Sequence, residues 1–259
     1  MRLKTRFTAK ATTAVLLPAL LLGAAGCSSG APAGGKAPDP PDPKNSTPAG
    51  SAAGSPGAAS PSGPAAQKTG GSRLERSALE QGDLPGYQVS AQGKNPNAPD
   101  GQPQADRKAC QPLADIMGDK PDPAARETVN RGIGSQKQVG LAVSASVSSY
   151  AERDAKALVT RLKDAVAACG TGFTATVEKQ SGSYRDVRAA AYRTSGDDTV
   201  SWTTTAAAQG VSAQVHVVVV RQGDTVVRLM ALNVAAGRQK ALVPQEVADK
   251  QVEKVRSAR

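Results

Sequence analysis

The run VSAQVHVVVVRQGDTVVRLMALNV, residues 211–234, sets the architecture. Two segments rich in β-branched side chains flank Gly223-Asp224. Such side chains lose rotamer freedom in a helix and fit a pleated strand. A two-residue connection opening on glycine suits a tight primed turn. The stretch therefore predicts a β-hairpin of the two longest strands in the chain.

Working upstream, three shorter strands precede the hairpin. Apolar residues alternate at Phe173, Ala175 and Val177, then at Val187, Ala189 and Ala191, then at Val200, Trp202 and Thr204. Before them, Ala155, Leu158, Val159, Leu162, Ala165, Val166 and Cys169 recur at three- and four-residue spacings, which predicts one buried face of a long helix. Ser149 and Glu152 form a capping-box pattern at its start, and Gly170 ends it. Val139, Leu141, Val143, Ala145 and Val147 alternate with small residues and predict a further strand. Between 120 and 133 the pattern is weak. A helical turn is read around Ala124 to Val129, and Gly132-Ile133-Gly134 is read as loop.

Further toward the N-terminus, Pro112 reads as a first-turn proline, its helix running through Leu113, Ile116 and Met117. Cys110 then falls at or just ahead of that helix. Residues 93–103 are polar and broken by proline, a surface loop. Tyr87 to Ala91 reads as a short strand and Leu74 to Leu79 as a short helix. Downstream of the hairpin, Pro244 opens a last helix with Val247, Ala248, Gln251, Val252 and Val255 on one face. Antiparallel strands with segregated helices make an α+β domain, a central antiparallel sheet flanked by helices over residues 73–259.

What precedes that domain has a different composition. Arg2, Lys4, Arg6 and Lys10 are followed by an apolar run of about a dozen residues, short of the roughly 20 that span a bilayer. The run ends in Gly23-Ala24-Ala25-Gly26-Cys27. A basic head, an apolar core and small residues make a secretory signal over residues 1–26. Small residues directly followed by cysteine resemble the bacterial lipobox, although Ala24 stands where leucine is usual. That resemblance implies lipidation of Cys27. The competing reading is an ordinary signal with a chance cysteine near the cut. Residues 27–72 are a Pro/Ala/Gly/Ser-rich linker; 28–72 hold nine of the eighteen prolines. With almost no large apolar residue, this stretch is expected to be a disordered stalk. Its Ser/Thr/Pro content admits glycosylation.

The formal charge of +10 overstates the domain's basicity: from Arg73 onward there are 25 basic and 20 acidic residues, a net of +5. Nothing there argues for nucleic acid. The three cysteines are an odd number. With Cys27 acylated, Cys110 and Cys169 remain, and an exported domain can oxidise them to a disulfide. The alternative is two buried free thiols.

Candidate chemistry is sparse. His216 is the only histidine, and no motif places a nucleophile beside it. A lone histidine without clustered thiols argues against a zinc site. Asp197-Asp198 reads as turn chemistry rather than a calcium site. Gly132-Ile133-Gly134 lacks the frame of a dinucleotide loop. Trp202, Tyr184 and Tyr192 can line a cleft or fill a core. No cofactor is expected, and no enzymatic activity.

Taken together, several segments resemble the exported sensor-like domains of actinobacteria represented by the extracellular domain of PknH-type receptor kinases and by related lipoproteins. These are Asp83-Leu84-Pro85-Gly86 before Tyr87, Cys110 ahead of a helix, Cys169-Gly170 ending the long helix, Arg221-Gln222-Gly223-Asp224-Thr225 across the hairpin, and the Val243-Pro244 helix with Gln251 and Lys254. The resemblance implies a PsbP-like fold with a cleft for an extracellular ligand. One cysteine pair stands where the kinase domains have two. The functional expectation is a lipoprotein held on the extracytoplasmic face of the cell membrane, carrying a sensor-like domain for an unknown envelope ligand or protein. A non-catalytic accessory module of an envelope complex is the alternative, and an envelope hydrolase using His216 is a third reading.

Overall fold

A computed structural model describes residues 71–93, 101–233 and 240–258. The signal, Cys27 and the linker up to residue 70 lie outside the described residues, as does much of the proline-broken loop. Among the described residues no helix is long and apolar enough to cross a membrane.

The elements run α1 (Arg73–Ser77), β1 (Tyr87–Gln92), β2 (Gln104–Ala105), α2 (Gln111–Met117, preceded by a 3-10 turn at Lys108–Cys110), β3 (Glu127–Ser135), β4 (Leu141–Ser149), α3 (Glu152–Ala168), β5 (Phe173–Val177), β6 (Gln180–Ala189), β7 (Asp198–Ala208), β8 (Val211–Gln222), β9 (Thr225–Asn233) and α4 (Gln245–Ser257). All nine strands form one antiparallel sheet in the order β1-β3-β4-β9-β8-β7-β6-β5-β2. This is an α+β fold.

The predicted hairpin is its centre. Gln222 pairs with Thr225 across the turn, and Gly223 has φ 63, the conformation the first position of a primed turn demands. Asp197 fixes the turn from outside, accepting the Gly223 N–H at 2.7 Å and Gln222 Nε2 at 2.9 Å. On β8, Val215, Val217 and Val219 face one core while Val218 and Val220 face the other. A strand walled on both sides reads as an unbroken apolar run.

The two cores lie on opposite faces. One packs α1 and α4 on β1, β3, β4, β8 and β9, with Leu79, Ile133, Val143, Leu229, Val247 and Val252 buried there. The other packs α2 and α3 on β5 to β8, with Leu113, Leu158, Leu162, Phe173, Trp202 and Val217. The predicted stripes of α3 and α4 are the buried ones in both helices. Cys110 and Cys169, both fully buried, form a disulfide that ties the start of α2 to the end of α3 on one face.

Five expectations are corrected. The helical turn at Ala124 to Val129 is absent. Glu127–Ser135 is strand β3, and Gly132-Ile133-Gly134 lies within it rather than in a loop. The reason is tertiary: β3 sits between β1 and β4 and takes its register from both. The capping box does not form, because Ser149 is drawn into β4 as the partner of Glu127 and Thr225. Ala151 is the N-cap instead, and Glu152 and Asp154 in the first turn offset the helix dipole. The strand expected from Val139 starts at Leu141, with Gly140 at φ 82 turning the chain and Val139 exposed. The strand read at Val187 to Ala191 is Gln180–Ala189, with an irregularity between Arg185 and Arg188.

Candidate functional site

Strands present alternate residues to opposite faces. On β3, Val129, Arg131 and Ile133 turn toward α1 and α4. The even positions, Thr128, Asn130, Gly132 and Gly134, turn the other way. Their neighbours on that side are Gln88, Ser90 and Gln92 of β1 and Ala142, Ser144 and Ser146 of β4. Helices α2 and α3 cover this face only over the β5 to β8 half and the β9 margin. Among the described residues, the β1-β3-β4 end is left as a groove floored by small and amide side chains.

Two adjoining cavities occupy it. One, of about 650 Å³, is bounded by the loop after α2 at Gly118, Asp119 and Lys120 and reaches Asn130, Ser146 and Arg228. The other, of about 700 Å³, lies over Gln88, Ser90, Gly132, Gly134 and Leu232. Gln92 and Ser144 line both. The space over Gly134 is open: a Cβ added there meets nothing within 4 Å among the described residues.

At the α2 end the groove meets a buried cation. Arg228 of β9 is 4% exposed. Its Nη1 donates to the Ile116 carbonyl at 2.9 Å, and its Nη2 donates to Ser146 Oγ at 2.8 Å and to Asp119 Oδ1 at 2.6 Å. Its Nε has no acceptor among the described residues, and neither does the buried Ser144 Oγ have a partner. Burial lowers the Arg228 pKa from its ordinary value, and Asp119 works in the opposite direction. Desolvating an ion is unfavourable unless opposite charge compensates it.

The residues singled out from sequence fall elsewhere. His216 is buried on the α4 face. Its Nδ1 accepts the Val243 N–H at 2.9 Å, and its Nε2 lies 2.8 Å from Ser201 Oγ. An imidazole that accepts at Nδ1 and is neutral carries its proton on Nε2. It donates to Ser201 and has no lone pair there to activate the hydroxyl. Burial pushes its pKa down to about 4, which keeps it neutral. Ser201 is also buried. The pair is a structural hydrogen bond, unlike a nucleophile with its base.

Asp197 holds the central turn, and Asp198 pairs with Lys163 of α3 at 2.5 Å. Among the described residues no three His, Cys, Asp or Glu side chains gather as metal ligands would. Trp202 is fully buried in the α3-side core. Tyr184 stacks on Phe173 with centroids 4.8 Å apart. Tyr192 donates to the Val243 or Pro244 carbonyl, each 3.2 Å away. None of the three lines either cavity of the groove.

Sequence reasoning missed Arg228, Ser144 and Asp119. Arg228 did leave a signal: it is a lone charge inside a run otherwise reading as core strand. Such a residue is rarely buried without a partner.

No protein-family model matches the chain, and no curated protein matches it. Solved structures similar to the chain include the following two. The extracellular domain of PknH from Mycobacterium tuberculosis matches with a TM-score of 0.46 and 14% identity, covering 72% of this chain and 94% of that one. An uncharacterized protein from Mycobacterium smegmatis matches with a TM-score of 0.37 and 10% identity, over 68% of this chain and 90% of that one.

Proposed function

We propose that this protein is a lipoprotein of the extracytoplasmic membrane face whose α+β domain binds an envelope ligand in the β1-β3-β4 groove. The observation that carries the binding reading is the open sheet end itself. A face built for packing would carry apolar side chains. This one carries Ser, Asn, Gln and Gly over two adjoining cavities, next to a buried arginine with an unused donor. Concave sites with a few placed polar groups are where small molecules bind.

Anchoring and export are supported by the basic head, the apolar run and Cys27. An oxidised Cys110–Cys169 pair suits an oxidising compartment. The linker over residues 27–72 is then the spacer between Cys27 and the domain.

Native mass spectrometry of the full chain purified from its own host tests the groove. A co-purifying molecule is expected on the wild type and lost from Gly134→Phe, whose Cβ meets nothing within 4 Å among the described residues. A molecule that stays bound to a folded Gly134→Phe would place the site elsewhere. Finding no molecule on the wild type would favour the accessory-module reading.

A further inference from the structure

We infer that Arg228 is the receptor for an oxyanion on the groove's ligand, and that Asp119 is the internal carboxylate this oxyanion displaces. The inference rests on the groove being the binding site.

A guanidinium presents five N–H donors in a planar fork, and its strongest partners are oxyanions held by two parallel bonds. Two of the three contacts of Arg228 come from fixed partners. Ile116 offers a backbone carbonyl at the end of α2, and Ser146 is part of β4. Asp119 is different. It reaches Nη2 with one oxygen, its side chain is 65% exposed, and it sits on a turn at φ 58, a conformation that disfavours aspartate less than most residues but still costs energy. Nε, on the same guanidinium, is left without an acceptor among the described residues.

The arrangement holds a buried cation in place with a solvent-facing, single-oxygen plug. A ligand carboxylate or phosphate supplies two oxygens where Asp119 supplies one. It thereby fills the unused Nε as well as Nη2. Ser144 lines both cavities, and its buried Oγ is without a partner among the described residues, an acceptor and donor held just beneath the groove. Lys120 lines the same cavity and adds favourable field, while Glu75, the other acid there, is paired with Arg131. The floor is hydroxyl and amide rather than aromatic, which suits a hydrated ligand body. The expected ligand class is a polar, hydroxyl- or amide-bearing molecule that carries a carboxylate or a phosphate.

The test is an NMR titration of the full-length protein, followed at the Gly132 and Gly134 amides and at the Arg228 Nε–H. The probes are glucuronate, glucose 1-phosphate and uncharged glucose, added to wild type, Asp119→Asn, Arg228→Lys and Arg228→Gln. The two charged probes separate a carboxylate source from a phosphate source. Removing the plug should raise affinity for at least one charged probe by roughly fivefold, the scale of a half-exposed ion pair, and leave glucose unchanged. Arg228→Lys keeps the charge without the fork and should lose most of the preference for the charged probe. Arg228→Gln should lose all of it. Asp119 is exposed, so Asp119→Asn reports even where an Arg228 variant misfolds. Unchanged or weaker charged-probe binding in Asp119→Asn overturns the inference. Equal binding of charged and neutral probes at the glycine amides also overturns it, yet leaves the groove standing. If no probe moves those amides in any variant, the inference fails; if Gly134→Phe also keeps its native ligand, the groove reading fails with it.

Discussion

The Nδ1 of His216 accepts the Val243 backbone N–H at 2.9 Å, so the segment leading into α4 is fastened to the middle of β8 by the chain's one imidazole. The bond requires a neutral ring. Burial holds its pKa at about 4, against an unfolded value of about 6.5.

Acid should therefore loosen the fold in a defined window. Between those two values the unfolded chain binds a proton that the folded chain does not. This contribution is complete above about pH 6.5 and falls as pH drops toward 4, by about 3 kcal/mol in all. Urea unfolding at several pH values should show that slope in the wild type and a flatter one in His216→Gln. The ring resonances of the folded protein should stay neutral down to about pH 4; a midpoint near 6.5 would contradict the burial argument.

Gln251 lies in the apolar stripe of α4 and is fully buried. Its Oε1 accepts the Leu79 N–H at 3.1 Å, and its Nε2 donates to the Ser77 carbonyl at 2.6 Å. Both partners sit just past or at the end of α1, where backbone groups lack helical partners. Gln251→Leu keeps the volume and leaves two buried polar groups without partners. Each costs roughly 1–3 kcal/mol, so chemical denaturation should show a loss of about 2–6 kcal/mol. A loss under 1 kcal/mol would mean that other groups or water take over.

The Cys110–Cys169 disulfide closes a loop of 59 residues in sequence separation. The chain-entropy relation gives about 4 kcal/mol for its removal. The double variant Cys110→Ala, Cys169→Ala should lose stability on that scale by thermal unfolding. With both sulfurs buried, reductant should open the bond only as the domain unfolds. Rapid reduction of the folded protein would show that the α2–α3 contact opens locally.

Cys27→Ser tests the anchor. The variant should appear in the medium instead of the membrane fraction and should no longer take up a fatty-acid analogue. Retention on membranes without acylation would point to a second membrane contact.

Much of the scaffold is legible in the residues. α3 and α4 carry stripes at helical period, and the central hairpin carries its turn in Gly223-Asp224. Strand β3 is not legible, for a physical reason. Its core-facing set is Val129, Arg131 and Ile133, so a charge interrupts the apolar alternation. Arg131 is tolerated there because its Nε donates to the Leu79 carbonyl at 2.8 Å and Glu75 pairs with its guanidinium. Those partners lie over 50 residues away in sequence. Ser149 shows the same effect in reverse: a local capping pattern yields to cross-strand pairing. The groove is still harder to read, since its floor is made of single small residues from three strands. They become a surface only once the strands are aligned.

Strand β3 divides its labour by residue parity. Its odd positions hold the domain together, while its even positions meet whatever enters the groove. On the proposed reading, a change at Gly134 or Asn130 alters ligand preference without touching either core, whereas a change at Ile133 does the opposite. Recognition would then be retuned residue by residue on an unchanged frame.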